Sequence, residues 1–363
     1  MSQVRRGRSL RSVIVGCGGM ARWHARAMGA LDEYELVACC DIDEAAARKL
    51  AGESGAPRTY TDYATMLVAE RPDVVTIVTP CSRHAEMTIQ AAEAGVRGVY
   101  CEKPMATCLA DGQAMVDTCR ERGAALAVNH QRRVSAPILR MRSLIVEGAL
   151  GEVYLLRGTC AGDLLSDATH LVDTMRFLVG DAAVRWVFGQ VHRVPGEPGA
   201  PRRPGDVQLA SAGFRYGHPV ETGAMAVWEF ETGVRAEILC GDMRVPGRQY
   251  GDYEVFGTAG RLWRAGDAAD PPLLVQDGGG WRPVDVAPAG RGEINAATGV
   301  ACYRQFAAMV RKGAEHPLSG DSALLDLEVI MAMYESARLH AKIELPLGQP
   351  RFPLEIMIEE GEL

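Results

Sequence analysis

The sequence predicts an α/β domain followed by an α+β domain, and three observations support this. The chain has 363 residues, which is long for one hydrophobic core. Up to residue 130, short apolar runs alternate with helical patterns, as in βαβ units that build a parallel sheet. Beyond it, strand-like segments follow one another across short turns such as Glu231-Thr232-Gly233, which indicates an antiparallel sheet. We therefore predict one domain at residues 1–130 and another at residues 131–363.

The elements of the first domain alternate strictly in type. We predict its strands at residues 12–15, 36–40, 74–78, 98–101 and 125–128, and its helices at 21–31, 43–51, 82–94 and 109–122. In the second domain we predict helices at 137–147, 167–178, 301–312 and 322–341. Its predicted strands cover residues 153–159, 184–192, 222–230, 234–239, 253–257 and 261–263. Residues 195–219 are rich in Pro and Gly and are predicted to form a long loop whose role stays open.

The composition is that of an ordinary globular protein, with 47% hydrophobic and 23% charged residues. A formal net charge of −7 disfavours nucleic acid as a partner, because phosphate backbones attract a surplus of Lys and Arg. No stretch approaches the ~20 apolar residues of a membrane helix, and no apolar run of signal-peptide length follows the start of the chain. We expect no membrane contact and a cytoplasmic location.

The cysteines do not form a recognisable metal or disulfide pattern. There are ten of them, with no Cys-x-x-Cys pair, and most stand in apolar surroundings such as the run that ends at Cys39 and Cys40. Such cysteines are usually buried, reduced thiols. We therefore predict no metal site.

A glycine-rich loop stands between the first predicted strand and the first helix. Gly16 permits a tight turn, and Gly18 lets the backbone approach a pyrophosphate, while the small Ala21 allows close packing of helix on strand. The following helix offers unpaired N–H groups to phosphates at its N-terminus. We predict that Gly16, Gly18, Gly19 and Met20 bind a dinucleotide in a Rossmann-type domain.

An aspartate at the end of the second strand indicates which dinucleotide this is. Asp41 follows the glycine loop by about 25 residues, where a carboxylate accepts hydrogen bonds from a ribose 2′-hydroxyl. The same carboxylate repels a 2′-phosphate. The sequence therefore predicts NAD rather than NADP.

Two further strand ends carry uncommon combinations of residues, namely Val78-Thr79-Pro80-Cys81-Ser82-Arg83-His84 and Cys101-Glu102-Lys103-Pro104. Together with the glycine loop they resemble the Gfo/Idh/MocA family of oxidoreductases, and Glu102-Lys103-Pro104 is the most specific match. The resemblance covers nearly the whole chain. It implies an N-terminal Rossmann domain, a C-terminal domain with an open, mostly antiparallel sheet, and a homodimer or homotetramer. It also implies that Thr79, Pro80 and His84 line the nicotinamide side; packing against its own helix is an equal alternative for His84.

Lys103 is predicted to be catalytic. A lysine at a strand end beside a nicotinamide can hydrogen-bond the reacting oxygen, and its charge stabilises an alkoxide. Pro104 restricts the backbone that aims the amine. The alternative is an ordinary surface lysine. Glu102 is expected to contact the cofactor or to anchor Lys103.

A second catalytic candidate is His170, on the predicted helix that starts at Asp167. The resemblance implies that the histidine takes the hydroxyl proton, assisted by an aspartate four residues earlier. Here the residue four before is Ser166, and Asp167 is three before. Residues three and four positions before His170 lie on the same face of a helix as His170. Asp167 is therefore expected to orient His170, contact substrate or cap the helix. A pKa close to the unperturbed value of about 6.5 would suit His170 as a base.

Other polar residues are candidates for substrate contacts. Arg132 follows the last strand of the first domain, and it or Arg133 is expected to bind an anion or hydroxyls, or alternatively to form an interdomain salt bridge. Asp163 precedes the histidine segment and is a further candidate for sugar hydroxyls. The pair Arg202-Arg203 in the long loop would also suit an anionic sugar.

These residues support two hypotheses for the function. The first is an NAD-dependent dehydrogenase that oxidises a hydroxyl, or reduces a carbonyl, of a sugar, sugar acid or cyclitol. The second is an NAD-dependent glycosidase, as some relatives of the family are, which oxidises a ring hydroxyl, eliminates the aglycone, adds water and returns the hydride. A cofactor-binding regulator without catalysis is disfavoured by Lys103 and His170. The sequence motifs do not discriminate between the first two hypotheses.

Overall fold

The first sheet in the computed structural model has the strand order of a dinucleotide-binding domain. The structure describes residues 8–194, 213–244, 250–288 and 290–363. Six parallel strands follow the order β3-β2-β1-β4-β5-β6, with the reversal of strand order between β1 and β4. Ligands bind such sheets at the carboxyl ends of the strands beside this reversal. The strands are β1 (Leu10–Val15), β2 (Tyr34–Cys40), β3 (Arg58–Tyr60), β4 (Val74–Ile77), β5 (Gly98–Cys101) and β6 (Ala125–Val128).

Helices cover both faces of this sheet. They are α1 (Ala21–Gly29), α2 (Glu44–Ser54), α3 (Tyr63–Glu70), α4 (His84–Glu93) and α5 (Leu109–Arg122). A 3₁₀ turn at Cys81–Arg83 precedes α4. The parallel sheet predicted from the sequence is confirmed. The sequence missed β3 and α3, because a three-residue strand with only partly buried side chains has little hydrophobic signal.

The second sheet is mixed and mostly antiparallel, as the sequence predicts. Nine of the described strands follow the order β16-β15-β14-β13-β7-β12-β11-β8-β17, and only β7 and β12 run parallel. The longer strands are β7 (Val153–Cys160), β8 (Val184–His192), β11 (Gly223–Phe230), β12 (Arg235–Gly241), β13 (Asp252–Gly257) and β14 (Arg261–Ala265). The shorter strands are β15 (Leu274–Gln276), β16 (Trp281–Pro283) and β17 (Ile343–Glu344). A separate hairpin consists of β9 (Phe214–Arg215) and β10 (His218–Pro219).

The second part of the chain contributes further helices. They are α6 (Ala136–Val146), α7 (Thr169–Leu178), α8 (Arg291–Lys312), α9 (Gly320–Leu339) and α10 (Pro353–Glu359). Helix α9 packs between α5 of the first domain and β8 of the second, and its residues Met331 and Met333 are fully buried. Within the described residues, no helix combines the length and the hydropathy that crossing a bilayer requires.

Helix α8 begins at Arg291, ten residues before the start predicted from the sequence. The early turns were missed because Gly292 and Gly299 weaken the helical pattern. Gly299 has a packing reason, since a Cβ there would lie 3.0 Å from the Cβ of Ala27 in α1. Tyr303 and Phe306 of α8 are buried in one core with the first sheet. The chain beyond residue 131 thus returns to the dinucleotide-binding domain.

The predicted loop at residues 195–219 falls largely outside the described residues. Its last part, residues 213–219, contains the β9–β10 hairpin, which the sequence analysis did not anticipate. The ten cysteines are all free, and eight are buried, while Cys17 and Cys108 are partly exposed.

Candidate active site

The glycine loop has the shape that a dinucleotide needs. Gly16 has a φ of +84°, and a Cβ there would lie 2.5 Å from the carbonyl oxygen of Val78, so only glycine fits. A Cβ on Gly18 or Gly19 would meet nothing within 4 Å. Ala21 begins α1 and is fully buried against the sheet. Open space therefore lies beside the loop at the N-terminus of α1, where a pyrophosphate would bind.

Asp41 lies beside this loop at the end of β2. Its Oδ2 accepts a hydrogen bond of 2.6 Å from the backbone N–H of Cys17, and its Oδ1 accepts one of 2.9 Å from that of Asp43. The carboxylate is partly exposed. It joins the glycine loop to the end of the second strand, the position expected of a ribose ligand.

The loop after β4 lies on the other side of the strand reversal. Thr79 is partly exposed and Pro80 is exposed. His84 is buried, with Nδ1 2.8 Å from the carbonyl oxygen of Pro104 and Nε2 2.9 Å from that of Thr79. A neutral ring donates from one of these nitrogens only, but both face backbone carbonyl oxygens of neighbouring loops, which favours a packing role for His84.

Glu102 belongs to a buried polar network. Its Oε1 lies 2.8 Å from Nε2 of His24 and accepts a 2.7 Å hydrogen bond from Asn129, while Oε2 accepts one of 3.1 Å from the backbone N–H of Lys103. Burial alone would raise the pKa of Glu102, but the hydrogen bond and charge of His24, with Lys103 and Asn129, hold it at about 2. Glu102 is thus charged and anchors the backbone of Lys103, as the sequence suggested; His24 and Asn129 were not predicted.

Lys103 reaches from the first domain to the second. Its Nζ donates a 2.6 Å hydrogen bond to the carbonyl oxygen of Ser166 and lies 3.9 Å from Oδ1 of Asp167. The side chain is 19% exposed. An ammonium carries three donors, so two remain for other partners. The predicted catalytic lysine and the predicted acid therefore lie at one site.

The histidine segment starts with a π-helical turn at Leu164–Ala168, and α7 begins only at Thr169. The sequence predicted one regular helix from Asp167. Asp163 is the residue that caps this turn, since its Oδ1 accepts a 2.6 Å hydrogen bond from the backbone N–H of Ser166. The side chain of Asp167, the cap considered from the sequence, does not accept this bond. π-Helical turns often occur at functional sites.

The expectation that His170 keeps an ordinary pKa is wrong. Burial lowers the pKa of His170 well below its usual value, and the positive charges of Lys103 and Arg132 lower it further. The ring is 4% exposed, and its Nδ1 is buried without a hydrogen-bond partner among the described residues. His170 therefore carries a neutral ring at neutral pH.

Asp167 contacts residues other than His170. Its Oδ2 accepts a 2.7 Å hydrogen bond from Nη1 of Arg215, and its Oδ1 one of 3.3 Å from the hydroxyl of Tyr250. The same Nη1 lies 2.9 Å from Oδ2 of Asp163. Asp163, predicted as a sugar ligand, thus serves as a cap and as an ion-pair partner.

Arg215 and Tyr250 are site residues that sequence reasoning missed. Arg215 comes from the β9–β10 hairpin, which also touches the cofactor loop: the Tyr216 carbonyl lies 3.4 Å from Sγ of Cys81. The pattern of a two-residue strand in a Pro- and Gly-rich region carries no signal for such a contact.

The arginines that follow β6 are both engaged in ion pairs. Arg132 makes two 2.7 Å hydrogen bonds to the two carboxylate oxygens of Asp267. Arg133 binds Asp173 at 2.6 Å and Asp181 at 2.7 Å. Arg202 and Arg203 lie outside the described residues. Both arginines thus form salt bridges, but their partners lie within residues 131–363, so these are not the interdomain salt bridges that the sequence suggested.

One buried group has the donor types of a metal site, namely His130, Asp173 and Asp326. His130 Nδ1 lies 3.3 Å from Asp173 and 3.4 Å from Asp326. Arg133 and Arg176, however, each place a guanidinium nitrogen 2.6 Å from one of these carboxylates. We interpret the group as an ion-pair network beneath His170 and assign no metal to it.

Family models match both parts of the chain. The model described as "Oxidoreductase family, NAD-binding Rossmann fold" matches residues 10–130. The model described as "GFO/IDH/MocA C-terminal domain" matches residues 138–263. The chain belongs to the GFO/IDH/MocA family. The resemblance drawn from the sequence motifs is confirmed.

Members of the GFO/IDH/MocA family match along most of the chain. D-Apiose dehydrogenase of Paraburkholderia graminis is 30% identical over 370 residues, 97% of this chain and 94% of that protein. Myo-inositol 2-dehydrogenase of Thermotoga maritima is 24% identical over 282 residues, 74% of this chain and 78% of that protein. The WlbA dehydrogenase of Bordetella pertussis, crystallised with NADH and UDP-GlcNAcA, superposes with a TM-score of 0.74 at 25% identity, over 94% of this chain and 100% of that chain.

The family match confirms NAD as the cofactor, and this chain fits it. The glycine loop leaves open space where a phosphate group would bind, because Gly18 and Gly19 have no side chains to fill it. Asp41 lies beside this loop at the end of β2, where a carboxylate would bind the ribose of the cofactor.

We predict that Arg215→Met lowers kcat by about 10- to 100-fold, because a buried charged hydrogen bond contributes roughly 1.5–3 kcal/mol. The loss of Arg215 leaves Asp167 with Tyr250 and Lys103 alone, so the carboxylate is expected to pair more closely with Lys103 and to withdraw it from the substrate. Steady-state kinetics of the sugar oxidation measure this effect.

The matched control is Arg235→Met on β12, whose side chain is 61% exposed and pairs with Glu229. Exposed pairs of this kind contribute ~0–1 kcal/mol, so kinetics close to those of the wild type are expected. Arg215→Lys keeps the charge and should restore part of the rate. Unchanged kcat and KM in Arg215→Met would refute a role for the hairpin in catalysis.

Proposed function

We propose that the protein is an NAD-dependent dehydrogenase that acts on a hydroxyl or carbonyl of a sugar, sugar acid or cyclitol. One observation carries this proposal: Lys103 from the dinucleotide-binding domain and Asp167 from the second domain lie 3.9 Å apart, with the neutral His170 beside them. Relatives named as D-apiose dehydrogenase and myo-inositol 2-dehydrogenase support the substrate class. The glycosidase hypothesis has no specific support among these relatives.

Gly16, Gly18, Gly19, Met20 and Asp41 would hold the cofactor by its pyrophosphate and ribose. Thr79, Pro80 and Glu102 would flank the nicotinamide side, with Glu102 acting through the backbone of Lys103. When bound, NAD would supply the acceptor for a hydride from the carbon that carries the hydroxyl.

The residues of the site handle the proton and the charge. Lys103, held by the Ser166 carbonyl, donates a hydrogen bond to the substrate oxygen and stabilises negative charge that develops there. The neutral imidazole of His170 accepts the hydroxyl proton at a ring nitrogen. Asp167 receives hydrogen bonds from Arg215 and Tyr250 and keeps a fixed carboxylate beside Lys103. In the reverse direction the same groups return the proton to the alkoxide.

The proposal is tested with purified protein, NAD and a panel of free sugars, sugar acids, inositols and aryl glycosides. We expect NADH to build up in proportion to oxidised product with at least one free polyol. NADP should be the poorer cofactor, because Asp41 repels its 2′-phosphate. Release of aglycone without NADH build-up would contradict the proposal and favour the glycosidase. Tight NAD binding without any turnover would favour a regulator.

We propose further that the enzyme works in the cytoplasm as a homodimer or homotetramer. All ten cysteines are free thiols, which suits a reducing compartment. Phe188 and Met225 are exposed on the same face of the second sheet, because Phe188 pairs with Val227, two residues from Met225. A second copy covering this face would bury them. Light scattering on the purified protein measures the assembly, and a monomer at all concentrations would refute it.

A further inference from the structure

A small polar cavity lies within the second part of the chain, near the candidate active site. Its volume is about 100 Å³, and among its lining residues are Arg132, Arg264, Asp267, Arg291 and Asn295. A water molecule takes about 30 Å³ in the liquid, whereas pockets for whole ligands measure about 300–1,000 Å³. The cavity therefore has room for one functional group of a larger molecule.

Two buried guanidinium groups share one carboxylate at this cavity. Arg132 and Arg264 are each 8% exposed, and both donate to Asp267, Arg264 at 2.5 Å and Arg132 at 2.7 Å. They lie side by side, since a Cβ on Gly251 would come within 2.4 Å of Nη1 of Arg132 and 3.0 Å of Nη1 of Arg264. Both oxygens of Asp267 are thus occupied by guanidinium groups.

Further donors at the cavity remain unused. The Nε–H groups of Arg132 and Arg264 are buried without hydrogen-bond partners within the described part of the chain. A buried donor without a partner is costly, so such groups indicate a ligand. Arg291 adds a third guanidinium at the first turn of the 22-residue helix α8, whose N-cap Gly290 provides no capping side chain. A helix N-terminus also favours negative charge.

The cavity is adjacent to the catalytic groups. The guanidinium of Arg132 lies 5.1 Å from the ring centre of Tyr250, whose hydroxyl binds Asp167. Arg132, which lines the cavity, therefore contacts the same Tyr250 side chain that binds Asp167.

We propose that Arg132, Arg264 and Arg291 form a subsite for an anionic group of the substrate, a carboxylate or a phosphate carried by the sugar. This inference rests on the proposed function and narrows its substrate class to acidic sugars. The anionic oxygens accept the free Nε–H groups of Arg132 and Arg264 and pair with Arg291. Arg132 would then have two roles, with its Nη groups bound to Asp267 and its Nε–H donated to the substrate anion.

The kinetic test compares a sugar with its uronic acid and its phosphate ester on the same ring. We expect the wild type to favour an acidic member by at least about tenfold in kcat/KM, as one charge-assisted hydrogen bond can provide. Arg291→Gln should reduce this preference several-fold. The matched control is Arg304→Gln, an exposed arginine of the same helix about 20 Å further along, and it should keep the wild-type preference. Equal preference in Arg291→Gln and the wild type would overturn the subsite.

A second measurement does not depend on turnover. Inorganic phosphate is titrated calorimetrically into the protein saturated with NAD. We expect binding that weakens about tenfold or more in Arg291→Gln and stays unchanged in Arg304→Gln. Binding without turnover of any sugar would support the subsite while refuting the proposed dehydrogenase. Absence of phosphate binding, or competition of phosphate with NAD, would overturn the subsite whatever the activity.

Discussion

Lys103→Ala will abolish sugar oxidation while NAD binding persists. The substitution removes the ammonium that lies 2.6 Å from the Ser166 carbonyl and 3.9 Å from Asp167. Without it, no described cation donates to the substrate oxygen from the cofactor side, and an alkoxide loses its stabilising charge. Proton transfer and oxyanion stabilisation of this kind each contribute about 10²–10⁴ in rate. We therefore expect kcat to fall by at least about 10³, as measured by NADH formation.

Lys103→Met removes the ammonium group but keeps a side chain of similar length. We expect it to lower kcat as much as Lys103→Ala does. Lys342→Ala is the matched control, because Lys342 is 53% exposed and pairs with Glu344 at the surface. Calorimetric titration with NAD should give similar affinities for wild type and both Lys103 variants, since Asp41 and the glycine loop are untouched. Activity retained in Lys103→Met would exclude Lys103 from the chemistry.

The dinucleotide half of the site could be predicted because its signals are local. The tight turn between the first strand and the first helix requires Gly16, and Asp41 follows the end of the next strand. Both positions can therefore be predicted from short sequence patterns. Lys103 ends a buried strand of the same sheet. The carboxyl ends of parallel strands meet at one edge of the sheet. A strand pattern in the sequence is therefore enough to predict that these residues lie close together.

The second half of the site depends on contacts that no local pattern records. Arg215 reaches Asp167 across 48 residues and Tyr250 reaches it across 83, through loops with weak hydrophobic periodicity. The π-helical turn has the same composition as an ordinary helix start, so Asp163 was not recognised as its cap. The pKa of His170 follows from burial and from charged groups on two other segments, and the position of a residue in the sequence reveals neither.

The pH dependence of the reaction will show that His170 stays neutral. Its pKa lies well below the usual value because of burial and the nearby charges of Lys103, Arg132 and His130. An ordinary histidine base, with a pKa of about 6.5, would lose activity about tenfold per pH unit below that value. We expect kcat/KM for a neutral sugar to stay level from about pH 8 to pH 6 instead. His170→Gln should lower kcat by about 10²–10⁴, the usual contribution of a positioned base.

A limb in the wild-type profile with an apparent pKa near 6.5 that vanishes in His170→Gln would contradict this expectation. His84 and His130 do not mask the result, because burial also lowers the pKa of both, that of His130 to about 4.

The same depressed pKa makes folding stability depend on pH in a known direction. Below about pH 6.5 the unfolded chain binds a proton at His170 that the folded chain does not bind, so stability is present above this pH and is lost as the pH falls. His170→Gln removes this site from both states. The Tm of the wild type should therefore fall more between pH 7 and pH 5 than the Tm of the variant. Parallel Tm curves would mean that His170 binds a proton equally well in the folded and the unfolded chain, which would contradict the lowered pKa.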